Sequence, residues 1–452
     1  MAVPVPLSSL DVSMRAKIES DLQFQYKEST VVKSKAPPKI VNCYAPGPEQ
    51  HIALPMSWAW KNLAMRNDYK YEKRSFERVK NPWNEMQANE LEQAVAILEH
   101  ERTLALTLRT GAGKTAVCLF CACAFKGFTV VLVHNESHAT QWYNSVKSYT
   151  TAVPEIVKLD TNGIENETDI LICLYTRWKK VAECVRRDVE LLIVDEFDEF
   201  QNKTGVESIM AWYPRRVVGC TATFGKSTTG MNGIGTAILG TEIVTRQFDV
   251  KFSVNLISTG ISGIRQRGKH TKGGVDWLVL KQSLLYNVER NKIIISLIKI
   301  RLSQGRKVMV LCSETKHVMT LYAMCKEADI KCDYLCGNKS NYIDSPVLIG
   351  GARKCGRGFD EESFCGNWEG VRIDDLILAD YVNNETHLLQ WLGRVFRCDD
   401  PIIDHLVDDD KTVQKQVSNM TKNVYVKLGA TIEELSMIPT EQVESTQDES
   451  EN

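Results

Sequence analysis

Short apolar runs of strand length, each followed by a stretch of helical character, constrain this chain more than any other feature. "TLALTL", "FTVVLVH", "DILICLY", "VELLIVDEFDEF" and "RRVVGCTATF" form a first set, with helix-like segments such as "AVCLFCACAF" and "SHATQWYNSVKSY" between them. Strands rich in Val, Ile and Leu that alternate with helices make parallel sheets covered on both faces. A Gly-, Ser- and Thr-rich stretch follows, and then a second set: "KVMVLCS", "SPVLIGG", "DDLILAD" and "IIDHLVD", with the helix "ETHLLQWLGRVFR" between the last two. The pattern predicts an α/β fold of two similar parallel-sheet domains in tandem.

With 452 residues the chain is too long for one hydrophobic core, which agrees with a multi-domain reading. The segment 1–75 mixes prolines with aromatics, as in "LPMSWAW", and reads as a small N-terminal accessory module. The first sheet domain is expected over 76–245, connector and loops over 246–285, and the second sheet domain over 286–430. The last segment, 431–452, closes on the acidic "TEQVESTQDESEN" and reads as a disordered tail.

Hydrophobic residues make up 43% and charged residues 25%, so most of the chain should fold. No apolar run reaches the ~18 residues of a membrane span. The N-terminus lacks the basic start and apolar core of a secretion signal, so a soluble intracellular protein is expected. A net charge of -2 argues against a uniformly basic surface but allows a local basic groove. The 14 cysteines are mostly scattered, as suits reduced thiols. Cys118, Cys121 and Cys123 invite a zinc reading, but no second pair stands at a suitable spacing, Cys332 and Cys336 being far along the chain. Small apolar side chains packing a buried helix account for them better.

Chemistry enters at "TGAGKT", between a strand and a helix start. A phosphate-binding loop needs glycines so that backbone N–H groups approach the phosphates without Cβ clashes. It also needs a lysine as point charge and a Ser or Thr hydroxyl for Mg²⁺. Gly111, Gly113, Lys114 and Thr115 supply these at a helix N-terminus, where the dipole favours an anion. The alternative is an ordinary Gly-rich turn. "LLIVDEFDEF" buries a strand and delivers Asp195 and Glu196 to its carboxyl end, where ligands collect in open α/β sheets. Asp195 is suited to hold Mg²⁺ through water, and Glu196 to orient and deprotonate an attacking water. A solvated turn is the alternative there. Far downstream, "LLQWLGRVFR" presents Gln390, Gly393, Arg394 and Arg397, the two arginines at i and i+3 on one helix face.

Together these segments resemble the motifs of superfamily 2 helicases, over roughly Gln87 to Asp409. "TGAGKT" (Thr110, Gly111, Ala112, Gly113, Lys114, Thr115) matches motif I, and "DEFD" (Asp195 to Asp198) the DExD form of motif II. "TAT" (Thr221 to Thr223) matches motif III, "GRGFD" (Gly356 to Asp360) resembles motif V, and "QWLGRVFR" matches motif VI. "VVLVHNESHATQW" resembles motif Ia, which normally ends in Gln-Trp, and "NPWNEMQ" the entry segment whose glutamine reads adenine, here Gln87. The resemblance implies two RecA-like domains with ATP and Mg²⁺ in the cleft between them. Lys114, Thr115, Asp195 and Glu196 would come from the first domain. Arg394 and Arg397 would reach across as arginine fingers, with Gln390 near the γ-phosphate and Asp360 at the cleft. Asp198, Thr221 and Thr223 would couple closure to the nucleic acid.

"LPMSWAW", "NPWNEMQ" and "GRVFRCDDPIIDHLVDD" further resemble helicases of large DNA viruses, the poxviral transcript-release group with its XPB-type and phage branch-migration relatives. That implies DNA as the polymer and, for a viral enzyme, the host cytoplasm or nucleus, or the virion, as its place. Two departures stand out. Leu108 replaces the first motif I glycine, and the threonine often found near Gly351 in motif V is absent.

Enzymes of this type grip the phosphate backbone, so binding should be salt-sensitive. Candidate contacts are Arg177, Trp178 and Lys179 in "YTRWKK", and the basic loop with Arg265, Arg267, Lys269 and Lys272; a solvated face is the alternative for each. The expected function is an ATP-dependent nucleic-acid helicase or translocase, with DNA favoured over RNA and transcription or replication proteins as partners. Alternatives are an ATPase that remodels protein–DNA or transcription complexes without unwinding, and a P-loop phosphotransferase active through the first domain alone.

Overall fold

The computed structural model describes residues 1–25, 40–47, 49–69, 71–82, 84–108, 111–159, 164–165, 167–221, 224, 232–246, 250–267, 275–356 and 359–437. They fall into two compact units, Met1–Gln247 and Phe248–Asn452.

In the first unit seven parallel strands lie in the order Ile243–Thr245, Thr103–Thr107, Arg216–Cys220, Leu191–Val194, Thr129–Val133, Ile170–Leu174 and Pro154–Ile156. Successive side chains point to opposite faces and divide between two cores. Val130, Leu132, Leu192 and Val194 enter one, while Val131, Val133, Leu191 and Ile193 enter the other. Helices Glu85–His100, Lys114–Phe125 and Glu136–Tyr149 cover the second face. Cys118 and Cys121 pack there as buried, free thiols, with Cys118 Sγ 3.2 Å from Cys220 Sγ.

The N-terminal segment, expected as a small accessory module, carries the antiparallel strands Ala2–Pro6, His51–Pro55 and Ala45–Pro46 in one sheet. It has no core of its own. Leu54, Met56 and Ala59 share the first face's core with Ile234 and Leu239 of the helix Asn232–Leu239.

The second unit also carries seven parallel strands, in the order Cys332–Leu335, Val347–Gly351, Val308–Cys312, Asp375–Leu378, Ile402–Val407, Ser253–Ser258 and Thr431–Ser436. Helices Trp277–Leu285, Val288–Ser303 and Thr315–Glu327 pack on one face, and Glu385–Val395 on the other. Both units thus have the parallel-sheet, helix-covered architecture of tandem RecA-like domains.

Three segments differ from the expected boundaries: the helix Trp277–Leu285, within the stretch 246–285 read as connector and loops, packs in the second unit's core, and two others are strands. Ser253–Ser258, within the stretch read as connector, is a strand paired on both sides. Its polar Asn255 reads as loop in isolation, but opposite Asp404 it donates Nδ2–H to that carboxylate at 2.7 Å. Thr431–Ser436, at the start of the expected tail, is an edge strand whose acidic side chains face outward. The tail's remaining residues, 438–452, lie outside the described part.

Asparagine starts several helices at the ends where the candidate residues sit. Asn84, Asn135, Asn287 and Asn384 each accept a backbone N–H from three residues on, satisfying a donor the helix cannot. Among the described residues no helix is long and apolar enough to cross a membrane.

Candidate nucleotide site

The strand Thr103–Thr107 ends in Leu108, which is 0% exposed and belongs to the core beneath the sheet. Arg109 and Thr110 lie outside the described residues. Gly111 and Gly113 then take φ of +81° and +89°, a left-handed conformation that a side chain would strain. Gly113 caps the helix Lys114–Phe125, so Lys114 and Thr115 open its first turn, and Ala112 is buried beside them.

The Lys114 side chain is 11% exposed, and its Nζ lies 3.9 Å from Glu196 Oε1. Among the described residues that ammonium has no hydrogen-bond acceptor. A buried donor left in this state is costly unless something accepts from it. Burial pulls its pKa down, yet Glu196, Asp195 and Asp198 together hold it above the ordinary lysine value. It stays charged among these carboxylates.

Register sets the acids beside it. Val194 pairs with Leu132 on one side and Gly219 on the other, so Asp195 leaves the strand in the middle of the sheet's carboxyl edge. Burial and the neighbouring Glu196 push the Asp195 carboxyl up, against His138, the Trp142 N–H and Lys114. Its Oδ2 accepts from Trp142 Nε1 at 2.9 Å and lies 3.6 Å from His138 Nδ1. Glu196 has φ +50° and ψ +57°, so the chain turns sharply at this residue; such a non-glycine conformation costs of order 1–3 kcal/mol. Asp198 Oδ1 accepts from Thr221 Oγ1 at 2.9 Å, joining the second acid pair to the end of the neighbouring strand. Thr223 lies outside the described residues. Gln87 is buried on the helix capped by Asn84.

Glycine loop, unsatisfied ammonium and paired carboxylates fit a nucleoside triphosphate with Mg²⁺. Among the described residues no cluster of three or more His, Cys, Asp or Glu could hold a metal by itself. That suits Mg²⁺, which keeps its waters and shares phosphate oxygens with one or two carboxylates.

In the second unit Gln390 and Arg394 are buried on the helix Glu385–Val395, with Arg397 just beyond its end. Arg394 donates to the Phe359 and Gly356 carbonyls at 2.7 and 2.9 Å. Arg397 donates to Asp360 Oδ1 at 2.5 Å and to the Phe359 carbonyl at 3.2 Å. The two motif VI arginines and Asp360 therefore form one cluster. Gly356 permits it, because a Cβ there would stand 2.6 Å from Trp391 Nε1. Arg372, which sequence reading passed over, also reaches Asp360 (3.5 Å) and Glu361 (3.1 Å).

The basic candidates behave unevenly. Arg177 is engaged within the unit, donating to the Val157 carbonyl at 2.9 Å and pairing with Glu136. Lys179 lies over the Trp178 ring at 5.5 Å. Arg265 pairs with Asp410 at 2.6 Å while remaining well exposed, and Arg267 is exposed. Lys269 and Lys272 lie outside the described residues. Sequence reading also missed Trp142 and His138 as neighbours of Asp195. Their i, i+4 spacing behind the Asn135 cap was the available signal.

Comparison with known proteins fits this geometry. The family model described as "Type III restriction enzyme, res subunit" matches residues 69–226. A protein of Invertebrate iridescent virus 6 named as helicase 161L is 25% identical over 380 residues, covering 75% of this chain and 80% of that protein. A protein of Acanthamoeba polyphaga mimivirus named as an ATP-dependent RNA helicase is 21% identical over 341 residues, covering 71% of this chain and 63% of that protein. A variant of S. cerevisiae Dbp5, solved with RNA and ADP BeF3, aligns with TM-score 0.54 and 14% identity over 77% of this chain and 89% of its own, a likeness of fold. By these likenesses the chain resembles the superfamily 2 helicases, ATP-hydrolysing enzymes, and among them the helicases of large DNA viruses.

Proposed function

We propose that the chain is an ATP-driven helicase or translocase acting on DNA. The observation that carries the proposal is the buried Lys114 ammonium at the start of the loop's helix, 3.9 Å from Glu196 and without a hydrogen-bond acceptor among the described residues. Lys114 and the N–H groups of the glycine loop bind the phosphates, Thr115 and Asp195 would hold Mg²⁺, and Gln87 contacts the base. Magnesium, when bound, would supply charge neutralisation to the phosphates. Glu196 aligns a water and takes its proton as the water oxygen bonds to the γ-phosphorus and the bond to the β–γ bridging oxygen breaks. Arg394 and Arg397 stabilise the charge that develops, once nucleotide draws Arg397 from Asp360. Asp198 and Thr221, already hydrogen-bonded, pass the nucleotide state on to the polymer-binding segments, Thr223 with them.

Likeness to DNA-virus helicases supports DNA. The mimivirus relative, named for RNA, supports a second reading with RNA as the polymer. Arg265, Arg267 and Lys179 are the candidate phosphate contacts; Arg177, held by Glu136, is a weaker one. ATP hydrolysis should be measured without polymer and with single-stranded DNA, duplex DNA or RNA, for wild type and Glu196→Gln. We expect DNA to raise the wild-type rate several-fold in a salt-sensitive way, and Glu196→Gln to abolish turnover while ATP still binds. A rate that no polymer raises would overturn the motor reading, and a rise with RNA alone would replace DNA by RNA.

A further inference from the structure

We propose that Trp142 and His138, on one face of the helix Glu136–Tyr149, are positioning residues that fix the Asp195 carboxylate in the orientation that receives nucleotide-bound magnesium. The proposal rests on reading Asp195 as the magnesium carboxylate. An aspartate's terminal torsion is broad and soft, so its two oxygens have no preferred direction unless neighbours impose one. Here Oδ2 is committed to the Trp142 indole N–H at 2.9 Å, with His138 Nδ1 at 3.6 Å on the same oxygen. The oxygen left to face magnesium or its water is Oδ1.

The helix that makes these contacts is itself held at several points. Asn135 caps it by accepting the His138 N–H at 2.9 Å, and Arg177 grips Glu136 in its first turn. Ala139, Trp142 and Val146 anchor it in the core. Trp142 is 2% exposed and would satisfy a packing role as any large apolar side chain would. Its buried N–H, however, needs an acceptor, and among the described residues it finds one in the Asp195 carboxylate at the sheet's carboxyl edge. Outer partners that orient a metal ligand typically matter to metal affinity by about 10–100-fold.

The test uses the full chain and a slowly hydrolysed, fluorescent ATP analogue, with dissociation constants measured in EDTA and in MgCl₂. The ratio of the two isolates the magnesium contribution. For Trp142→Phe, which keeps the ring and removes the donor, we expect that ratio to fall by about 10–100-fold while the constant in EDTA is unchanged. His138→Gln should move the ratio the same way by less, and it carries the comparison alone if Trp142→Phe does not fold. A wild-type ratio in the folded variants, with only a lowered melting temperature, would overturn the proposal and leave Trp142 a packing residue. Asp195→Asn separates this from failure of the underlying reading. If Asp195→Asn keeps the magnesium effect, Asp195 is not the magnesium carboxylate, and that reading falls with the proposal. If Asp195→Asn loses it while Trp142→Phe and His138→Gln keep it, the proposal falls alone.

Discussion

Restoring the usual glycine at Leu108 should damage this protein. Leu108 is 0% exposed and packs with Leu104, Leu106 and Val117 in the core under the phosphate-loop helix. Truncating a fully buried leucine to alanine costs about 2–5 kcal/mol through lost transfer energy and the cavity left behind. Glycine adds about 0.5–1 kcal/mol of chain entropy. Leu108→Gly should therefore cost about 2.5–6 kcal/mol, much of the roughly 5–15 kcal/mol available to a domain. Urea unfolding followed by tryptophan fluorescence would measure it, since Trp142 and Trp212 are buried in the first unit and report its transition. Leu108→Ala, expected at the lower end of the range, guards against a variant too unstable to study. A Leu108→Gly protein within about 1 kcal/mol of wild type that also bound ATP more tightly would refute the reasoning. Leu108 would then act as a loop residue.

Arg397→Ala should lower polymer-stimulated kcat by about 10³–10⁵ while the KM for ATP changes little, as expected of a finger that acts on the transition state. A steady-state ATPase assay checks this, and undiminished turnover would favour a phosphotransferase working through the first unit alone. Burial pushes the His405 imidazole down to about 4. It is neutral in the folded protein and protonated in the unfolded one below about pH 6.5, so its contribution is full above that pH and withdraws as pH falls toward 4. Between pH 7 and 4.5 the stability of wild type should fall relative to His405→Phe by about 2–3 kcal/mol, read from urea midpoints of the second unit. Parallel pH curves would contradict this.

Much of the first site was legible because it is built locally. A buried strand followed by Asp195 and Glu196, and a glycine pair followed by Lys114 and Thr115, need only one strand end and one helix start each. The parallel pairing Val194–Gly219 and Leu106–Cys220 then brings those ends to one edge, as the alternation of strands and helices demands. The rest was hidden where a polar residue's partner lies far along the chain. Asn255 looks like loop until Asp404 faces it, and so the strand Ser253–Ser258 is invisible to hydrophobic patterning. Arg177 looks like a free polymer contact until Glu136 and the Val157 carbonyl claim its guanidinium.

By itself the sequence determined the fold class and the tandem arrangement, and it marked the glycine loop and the acids beside it, because these depend on periods and spacings within one or two elements. Only the tertiary structure decided which charges are interior and what each polar group holds. Arg290 is 0% exposed and bound to Asp408, 118 residues away, a partner that no local pattern marks. Trp142, the last residue of the segment that resembles motif Ia, donates its indole N–H to Asp195 at the sheet's carboxyl edge. A charge or an N–H shows its environment only once the sheet has brought distant segments within hydrogen-bond reach, since burial without a partner would cost more than the fold could sustain.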